Sequence, residues 1–398
     1  MVMMNHLIDF FSLHQAIPFI CAISFGTLFV YYIAVQKEFV RRVFLFVSGI
    51  AILGILDYSS LIFLVIVSVF AFLLCKKITH KKKLFIFLFF ILLCFILSLK
   101  SAIQLLNKKD FSVLFGSSYY LFRILSFVVE SYKGNHAYKN VKIFEYFLWV
   151  FFPPIIIAGP IMRFHELQLV DKQPIPSKML SAYILFFIFV FIKLVFVDIY
   201  LYKIAYVYCL TAAKEVKTIL SLILFGASSF LHAYIDLLLY TELSKALARF
   251  FGFSTIENFN YPLLSTNISQ FWQRWHMSLS GWTRDYIFFP VLIKTRKTWL
   301  ASYSSMLVIG MWHQISLNWF LWALLHGSAL NVYSLIRRTK VYRFINSSQA
   351  GFIFLSFLGS LFVLSFVSFV FILVAFNNFK DPYILLRDCF LHYARGQA

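Results

Sequence analysis

Residues Phe352–Phe376 have the sequence FIFLSFLGSLFVLSFVSFVFILVAF, and none of these 25 side chains is charged. A helix needs about 20 consecutive apolar residues to cross the hydrocarbon core of a bilayer, so this stretch predicts a membrane-spanning helix. The 398-residue chain has the same character throughout: 61% of its residues are hydrophobic, 13% are charged, and the mean hydropathy is +0.83. The sequence therefore predicts an all-α polytopic membrane protein and excludes a soluble globule or a disordered chain.

The distribution of charge indicates membrane topology rather than nucleic-acid binding. The chain has 36 Lys and Arg against 16 Asp and Glu, a formal net charge of +20. The basic residues cluster in short runs between apolar stretches, at 37–42, 76–83, 294–297 and 337–343. Such runs are typical of cytoplasmic loops in membrane proteins, so we expect these loops to be cytoplasmic and expect no nucleic-acid partner.

Two intervals with basic runs on both sides predict helical hairpins. Between Arg42 and Lys76 lie 33 residues, and a break at Asp57–Ser60 would keep both basic runs on the cytoplasmic side. Thr298–Ile336 is flanked in the same way, which predicts a second hairpin or re-entrant pair. The remaining predicted segments are Ala16–Val35, Leu84–Leu106, Phe111–Glu130, Phe144–Ala158, Met179–Tyr208, Ile219–Tyr240 and Phe352–Phe376.

Together these predictions give about ten or eleven membrane segments, including re-entrant or interfacial helices. We expect one domain over residues 1–398, because the sequence has no internal repeats or low-complexity linkers. The basic run after the first segment predicts that this segment stays in the membrane with the N-terminus outside. Arg123 and Glu130 must face protein or water rather than lipid. The segment that begins at Phe144 is expected to end at Gly159-Pro160, a helix breaker.

Residues 250–289 differ from the rest of the chain because aromatic and polar side chains are interleaved there. The region is too polar to span a bilayer and too apolar for a solvated loop, so we expect an interfacial or re-entrant segment. Its richest part is 271–286, FWQRWHMSLSGWTRDY. In a continuous helix Trp272, Trp275, Leu279 and Trp282 would form one stripe. On the pattern alone, an interfacial anchor helix is the alternative to a functional site.

A second cluster lies in the hairpin predicted over Thr298–Ile336. Residues 310–314 are GMWHQ, and Trp319, Trp322 and His326 follow. Ionisable groups in membrane segments are costly and are therefore functional candidates. We expect His313 within or close to the bilayer, where a neutral imidazole suits a general base. A buried structural histidine is the alternative interpretation.

The sequence offers no other recognised chemistry. The histidines and carboxylates lack the spacing of metal ligands, and the five cysteines are scattered and odd in number. There is no phosphate-binding glycine loop of the Walker or Rossmann type and no Gly-x-Ser-x-Gly nucleophile motif. An enzyme with this sequence would therefore work by direct transfer with a histidine base, without a bound metal or cofactor.

The two clusters together resemble the signature of membrane-bound O-acyltransferases. The matching stretches are ENFNYP at 257–262, FWQRWHMSLS at 271–280, WTRDY at 282–286 and Trp312-His313. His313 lies 37 residues after His276 and matches the second histidine of the family, the one regarded as catalytic. Upstream stretches at 116–119, 132–134 and 158–163 also fit, so the resemblance covers about residues 110–330. The bacterial branch it resembles includes alginate and peptidoglycan O-acetyltransferases and the teichoic acid D-alanyltransferase.

This resemblance implies a helical fold around a central tunnel. An acyl thioester, acetyl-CoA or an acyl carrier protein, would enter from the cytoplasm as co-substrate, and the acceptor hydroxyl would come from the outer side. The resemblance implies His313 as general base and His276 as the residue that orients the donor or stabilises the oxyanion. Arg274 and Arg284 would hold the phosphates of the donor, with interfacial snorkelling as the alternative. The implied substrate- or donor-binding residues are Trp272, Arg274, Trp275, Ser278, Arg284, Asp285, Trp312 and His326.

Two departures from the family pattern concern the shape of the tunnel. Gln314 follows His313 where the family usually has Gly, and Asp236 is followed by Leu237-Leu238-Leu239-Tyr240 instead of a Gly-containing stretch.

The resemblance implies acetyl transfer to a hydroxyl of a cell-envelope glycan by a multi-pass protein of the cytoplasmic membrane. The implied partners are membrane lipids, the glycan acceptor, and an acyl carrier protein or an extracytoplasmic accessory protein. The alternatives are D-alanyl transfer from a carrier protein to teichoic acid, an acyl or glycolipid transporter, and a non-catalytic scaffold in an envelope-modifying complex. The absence of inverted repeats from the sequence disfavours the transporter.

Overall fold

The computed structural model describes residues 37–77, 117–134, 138, 140–156, 159–169, 176–376 and 378–395. Across these residues the chain is helical, with one two-stranded sheet, which confirms the predicted all-α class. The α-helices of the described residues are α1 Glu38–Leu56, α2 Tyr58–Lys77, α3 Ser117–Tyr132, α4 Ile143–Val150, α5 Pro176–Phe191, α6 Val207–Glu215, α7 Ile219–Phe250, α8 Ile268–Arg274, α9 Met277–Thr283, α10 Phe289–Thr295, α11 Thr298–His313, α12 Leu317–Ile336, α13 Lys340–Asn346, α14 Gln349–Val374 and α15 Lys380–Arg395.

Shorter elements connect these helices. Two π-helical stretches, Ile192–Tyr206 and Arg284–Phe288, follow α5 and α9, and the 3₁₀ turns are Pro153–Ile155, Phe164–Glu166 and Pro262–Leu264. The strands β1, Gln168–Leu169, and β2, Phe253–Ser254, pair antiparallel, with Gln168 opposite Ser254 and Leu169 opposite Phe253.

Six helical stretches of the described residues are long and apolar enough to cross a membrane. They are Glu38–Leu56, Tyr58–Cys75, Ile184–Glu215, Ile219–Phe250, Leu317–Ile336 and Gln349–Val374. This finding confirms a polytopic chain, and each stretch overlaps a segment predicted from hydropathy. The predicted segments Ala16–Val35 and Leu84–Leu106 lie outside the described residues. The total of ten or eleven segments and the central tunnel stay predictions.

The two breaks expected from the charge pattern are present. α1 ends at Leu56 and α2 begins at Tyr58, with Asp57 in an extended conformation between them. The Asp57 carboxylate accepts hydrogen bonds from the Ser59 backbone N–H, at 3.0 Å, and from the Ser60 hydroxyl, and so satisfies donors at the start of α2. α11 and α12 likewise pack against each other on either side of a turn at 314–316.

The segment that begins near Phe144 is shorter than predicted. α4 ends at Val150, well before Gly159-Pro160. Two consecutive prolines, Pro153 and Pro154, follow it. Proline has no N–H and disfavours helical geometry at the preceding residue, so the Pro-Pro pair ends the helix first.

The described residues form two compact units. The first contains residues up to Phe189 together with Tyr240–Glu257, and the second contains Val190–Leu239 and the residues from Asn258 onward. The core of the first unit is formed by buried apolar side chains that include Leu45, Leu148, Phe152, Ile155, Met162, Ala182, Ala248, Phe250, Phe251 and Phe253. The single-domain prediction for residues 1–398 stays a prediction.

Arg123 lies in the first unit and is 1% exposed. Its guanidinium donates to the backbone carbonyls of Trp149 and, at 3.4 Å, of Ile155, and it lies 4.9 Å from the centre of the Trp149 ring. Glu130 pairs with Lys133 at 2.9 Å. Both side chains therefore face protein groups, as the cost of a charge in lipid requires.

The second unit holds its own core and a buried ion pair. Its core includes Tyr206, Ala213, Leu222, Phe225, Ile372, Leu385 and Cys389. Lys193 Nζ lies 2.9 Å from Asp236 Oδ1, and both side chains are under 5% exposed. Asp236, which precedes the stretch that departs from the family pattern, is therefore held by an opposite charge inside this unit.

Candidate active site

The aromatic segment 268–283 is two short helices rather than one. α8 ends at Arg274, and His276 has φ +42° and ψ 55°, in the left-handed region that a non-glycine residue rarely adopts. Consequently Trp272, Trp275, Leu279 and Trp282 do not form a stripe on one helix, and that prediction is wrong. All four side chains are nevertheless buried. The break could not be predicted from the residue types at 275 and 276, because hydrogen bonds to a distant part of the chain stabilise it.

Asn258 stabilises the break between α8 and α9 with both its backbone and its side chain. Its backbone carbonyl accepts from the Met277 N–H at 2.8 Å. Its side-chain Oδ1 accepts from the backbone N–H of Ser278 at 3.1 Å and from the Ser278 hydroxyl at 2.8 Å. These bonds replace helical partners that the left-handed residue removes. Asn258 itself is 2% exposed.

The same Asn258 oxygen determines the tautomer of His276. Nδ1 of His276 lies 3.1 Å from Oδ1 of Asn258. The backbone N–H of Ser278 can only donate, so the Asn258 atom facing it is the carbonyl oxygen and not the amide nitrogen. An oxygen acceptor at this distance requires the hydrogen on His276 Nδ1. Nε2 of the neutral ring then carries a lone pair and can accept a hydrogen bond.

His276 is a neutral, buried ring outside the six candidate spans. It is 2% exposed, and burial lowers its pKa to about 4. Its ring contacts in the described residues are with Asn258, Ser278, Phe259 and Trp312, none of which carries a charge. Within the described residues, no hydrogen-bond partner faces Nε2 of His276.

His313 is the last residue of α11, at the turn of the hairpin. The turn begins because Gln314 is extended, and Ser316 then caps α12 by accepting from the Trp319 N–H at 3.5 Å. The His313 ring is exposed and stacks on the Trp319 ring, with 4.3 Å between centroids and 13° between planes. This stack orients the exposed imidazole parallel to the indole.

Aromatic contacts join His313 to the buried histidines. The Trp312 ring lies 4.5 Å from His313 and 6.4 Å from His276, centroid to centroid. Trp322 lies 6.4 Å from His313 and 4.4 Å from His326. We call this group the histidine–tryptophan cluster; it consists of Trp272, His276, Trp312, His313, Trp319, Trp322 and His326.

His326 has the opposite hydrogen-bond polarity from His276. The Trp272 indole N–H donates to Nδ1 of His326 at 3.2 Å. Indole can only donate, so Nδ1 of His326 accepts, and the hydrogen of the neutral ring is on Nε2. Within the described residues, neither this Nε2–H nor the indole N–H of Trp322 has an acceptor. Both groups are donors that a developing negative charge would attract.

The structure brings together some predicted site residues and leaves others apart. Trp272, His276, Trp312, His313 and His326 belong to the cluster; Ser278 contacts His276, and Trp275 packs on Phe271 and Phe259 beside it. The three charged residues have other partners. Arg284 pairs with the neighbouring Asp285 at 2.9 Å with 61% of its side chain exposed, and Arg274 donates to the Leu264 carbonyl at 3.4 Å.

Three contributors were not assigned roles from the sequence: Asn258, Trp319 and Trp322. Asn258 stands in the ENFNYP stretch, but its bond to His276 spans 18 residues and depends on the left-handed break. The available signal was that Trp319 and Trp322 follow His313 closely in the sequence and are three residues apart, the spacing of one helix face. Within the described residues, no group of three or more His, Cys, Asp or Glu side chains is placed to hold a metal ion.

Comparison with known proteins relates this arrangement to a family. Residues 42–376 match the model of the MBOAT, or membrane-bound O-acyltransferase, family. That range contains every residue of the histidine–tryptophan cluster.

Individual relatives match over a shorter stretch. The probable alginate O-acetylase AlgI of Pseudomonas fluorescens is 32% identical over 248 residues, which are 60% of this chain and 48% of that protein. The teichoic acid D-alanyltransferase of Bacillus subtilis strain 168 is 27% identical over 250 residues, 59% of this chain and 62% of that protein. The peptidoglycan O-acetyltransferase of Helicobacter pylori is 30% identical over 201 residues, which are 48% of this chain and 37% of that protein. The chain thus spans about half the length of the alginate O-acetylases it matches.

Proposed function

Because the chain belongs to the membrane-bound O-acyltransferase family, we propose that this multi-pass membrane protein transfers an acyl group from a thioester to a hydroxyl of a cell-envelope glycan. The acyl group is acetyl, and the donor is acetyl-CoA or an acyl carrier protein on the cytoplasmic side. The acceptor approaches from the outer side of the cytoplasmic membrane. Alginate, teichoic acid and peptidoglycan named in the relatives support an envelope glycan as the class of acceptor.

The observation that carries this proposal is the position of His313. Its side chain is exposed at the end of α11, and its ring contacts the buried Trp312, Trp319 and Trp322 of the histidine–tryptophan cluster. A base that takes a proton from an incoming hydroxyl needs access on one side and a dry, ordered environment on the other.

The reaction is one displacement at the thioester carbonyl. A ring nitrogen of His313 takes the proton of the acceptor hydroxyl as the hydroxyl oxygen attacks the carbonyl carbon. The new C–O bond forms, the C–S bond breaks, and the departing sulfur receives the proton from the His313 imidazolium. General base catalysis of this kind contributes about 10²–10⁴-fold to the rate.

The buried histidines support different parts of this reaction. With its hydrogen on Nδ1, His276 accepts at Nε2 and suits orientation of a hydroxyl rather than stabilisation of an oxyanion. The Nε2–H of His326 and the Nε1–H of Trp322 are the donors suited to the carbonyl oxygen. Arg284, exposed beside Asp285, remains the candidate for donor phosphates.

D-alanyl transfer is a second candidate, because the match covers more of the D-alanyltransferase than of the alginate O-acetylase, 62% against 48%. Mass spectrometry of envelope glycans from cells with and without this protein separates the two. An acetyl ester that depends on the protein supports the first proposal, and a D-alanyl ester supports the second. Unchanged ester content in every glycan fraction contradicts both.

A transfer assay then uses the glycan identified in this way. Purified protein in liposomes receives acetyl-CoA on the side of the basic loops, and the ester formed on the glycan is counted. Product formation by the purified protein is expected. Movement of donor or glycan across the membrane without ester formation would instead identify a transporter, and inertness in both respects would identify a scaffold.

A further inference from the structure

The side-chain oxygen of Asn258 accepts hydrogen bonds from Ser278 at the start of α9 and, in addition, one from the His276 ring. The Ser278 backbone N–H and the Met277 N–H already pin the start of α9 to Asn258. The bond from His276 Nδ1 to the same Oδ1 is made by the side chain of the N-cap residue, and it determines which ring nitrogen carries the hydrogen. Asn258 is also next to Phe259, whose ring lies 6.4 Å from that of His276 and borders it on another side.

We propose that Asn258 is a positioning residue that holds His276 as the Nδ1–H tautomer, so that Nε2 accepts a hydrogen bond from a second hydroxyl of the acceptor glycan, beside the hydroxyl whose proton His313 takes. This inference rests on the proposed acyl transfer. Without Asn258 Oδ1, the neighbour of Nδ1 is the Ser278 hydroxyl at 3.5 Å, which can donate as well as accept, so both neutral tautomers of His276 become accessible. The tautomer with Nε2–H would present a donor where the second hydroxyl needs an acceptor.

A merely structural role for Asn258 makes a different prediction. In that case the amide matters because it satisfies the Ser278 N–H, and any side chain with an acceptor at the same position would serve equally well. The tautomer of His276 would then be irrelevant to transfer. Two variants separate these roles, since one removes the acceptor and the other keeps it but adds a charge.

The first measurement is the tautomer itself. Protein labelled with ¹³C,¹⁵N-histidine gives ring shifts that distinguish Nδ1–H from Nε2–H, and the His276 signal is the one lost in His276→Gln. We expect Nδ1–H in the wild type and a shift toward Nε2–H in Asn258→Leu. Asn331→Leu, an amide in α12 outside the cluster, should leave the His276 signal unchanged and is the matched control. An Nε2–H ring in the wild type would overturn the proposal.

The second measurement is the rate of transfer. Asn258→Leu should lower kcat/KM by about a hundredfold, as for the loss of one active-site hydrogen bond. Asn331→Leu should retain wild-type kcat/KM. Wild-type transfer by Asn258→Leu would overturn the proposal while leaving the proposed function intact. If the wild type itself makes no ester, the proposed function fails, and the tautomer measurement stands independently.

Asn258→Asp provides a second test in case Asn258→Leu does not fold. The carboxylate still accepts from Ser278 and His276, but its charge favours the imidazolium and raises the pKa of His276 by about 1–3 units. Protonated His276 cannot accept at Nε2, so the acid limb of the kcat/KM profile should move to higher pH. An acid limb at the wild-type pH in this variant would show that transfer does not need an acceptor at Nε2 of His276, and that result would overturn the proposal.

Discussion

At the residue scale, the neighbours of His276 and His326 give these two imidazole rings opposite hydrogen-bond polarity. His276 donates at Nδ1 to Asn258, whereas His326 accepts at Nδ1 from Trp272. One ring therefore presents an acceptor at Nε2 and the other a donor. This polarity could not be predicted from the sequence, because the partners are 18 and 54 residues away along the chain. The identity of the histidines as candidates could be predicted, since ionisable groups among apolar ones are costly.

Burial of neutral His276 predicts that the protein loses stability in acid. Burial lowers the pKa of His276 to about 4 in the folded protein, whereas the pKa of a solvated histidine, as in the unfolded chain, is 6.5. Between these two pH values the unfolded chain binds a proton that the folded chain does not. Stability therefore falls as the pH drops through this window, by up to about 3 kcal/mol for this residue. His276→Gln has no such proton. Its loss of stability between about pH 7 and about pH 4.5 should be smaller, measured by unfolding in detergent.

The control for this measurement is His392→Gln, a change in α15 outside the cluster. That variant should lose stability on acidification as the wild type does. An equal loss in His276→Gln and the wild type would contradict burial of a neutral ring at position 276.

At the element scale, the α11–α12 hairpin positions His313 through one close approach. A Cβ added at Gly310 would lie 2.6 Å from the Trp319 carbonyl oxygen and 3.1 Å from the Ala323 Cβ. Glycine therefore allows the two helices to approach at the level where Trp319 stacks on His313.

Gly310→Ala should push α12 away from α11. We expect a loss of about 1–3 kcal/mol of stability, typical of overpacking, and a fall in transfer because the His313–Trp319 stack is displaced. Thermal unfolding and the transfer assay measure both effects. Val308→Ala, on the same helix, should retain the wild-type transfer rate. A Gly310→Ala variant with wild-type stability and rate would contradict the close packing.

The ends of the helices could be predicted where charge or hydropathy determines them, and could not be predicted where tertiary contacts determine them. Basic runs at 37–42 and 294–297 predicted both hairpins, because Lys and Arg concentrate on one side of a membrane. The end of α4 was predicted at the wrong breaker, since Pro153-Pro154 act before Gly159-Pro160. The break at His276 depends on Asn258, which no local pattern indicates.

At the scale of the whole molecule, the charge pattern predicts how the α11–α12 hairpin is oriented in the membrane. The basic run 294–297 precedes α11, and His313 ends it. A 16-residue α-helix is about 24 Å long, most of the thickness of the hydrocarbon core. Since we expect the basic run in the cytoplasm, we also expect His313 toward the outer side, where the proposed acceptor arrives.

Cysteine labelling of the two ends of α11 tests this orientation. In a chain whose five native cysteines are replaced by alanine, an impermeant reagent outside intact cells should label Ile315→Cys and miss Lys297→Cys. Ile315 is suitable because it is 46% exposed at the turn. Permeabilised cells, in which both positions should react, provide the control. Labelling of Lys297→Cys from outside would reverse the assigned topology.

The most direct test of His313 as the general base compares His313→Asn with His276→Asn in the transfer assay at matched expression. An amide cannot act as a base near neutral pH, so His313→Asn should make no measurable ester. At His276 an amide keeps a hydrogen-bonding group. We expect that variant to retain transfer reduced by about 10²–10³, as for the loss of one active-site hydrogen bond. Equal and complete loss in both would indicate a coupled two-histidine base, and a more active His313→Asn would contradict His313 as the base.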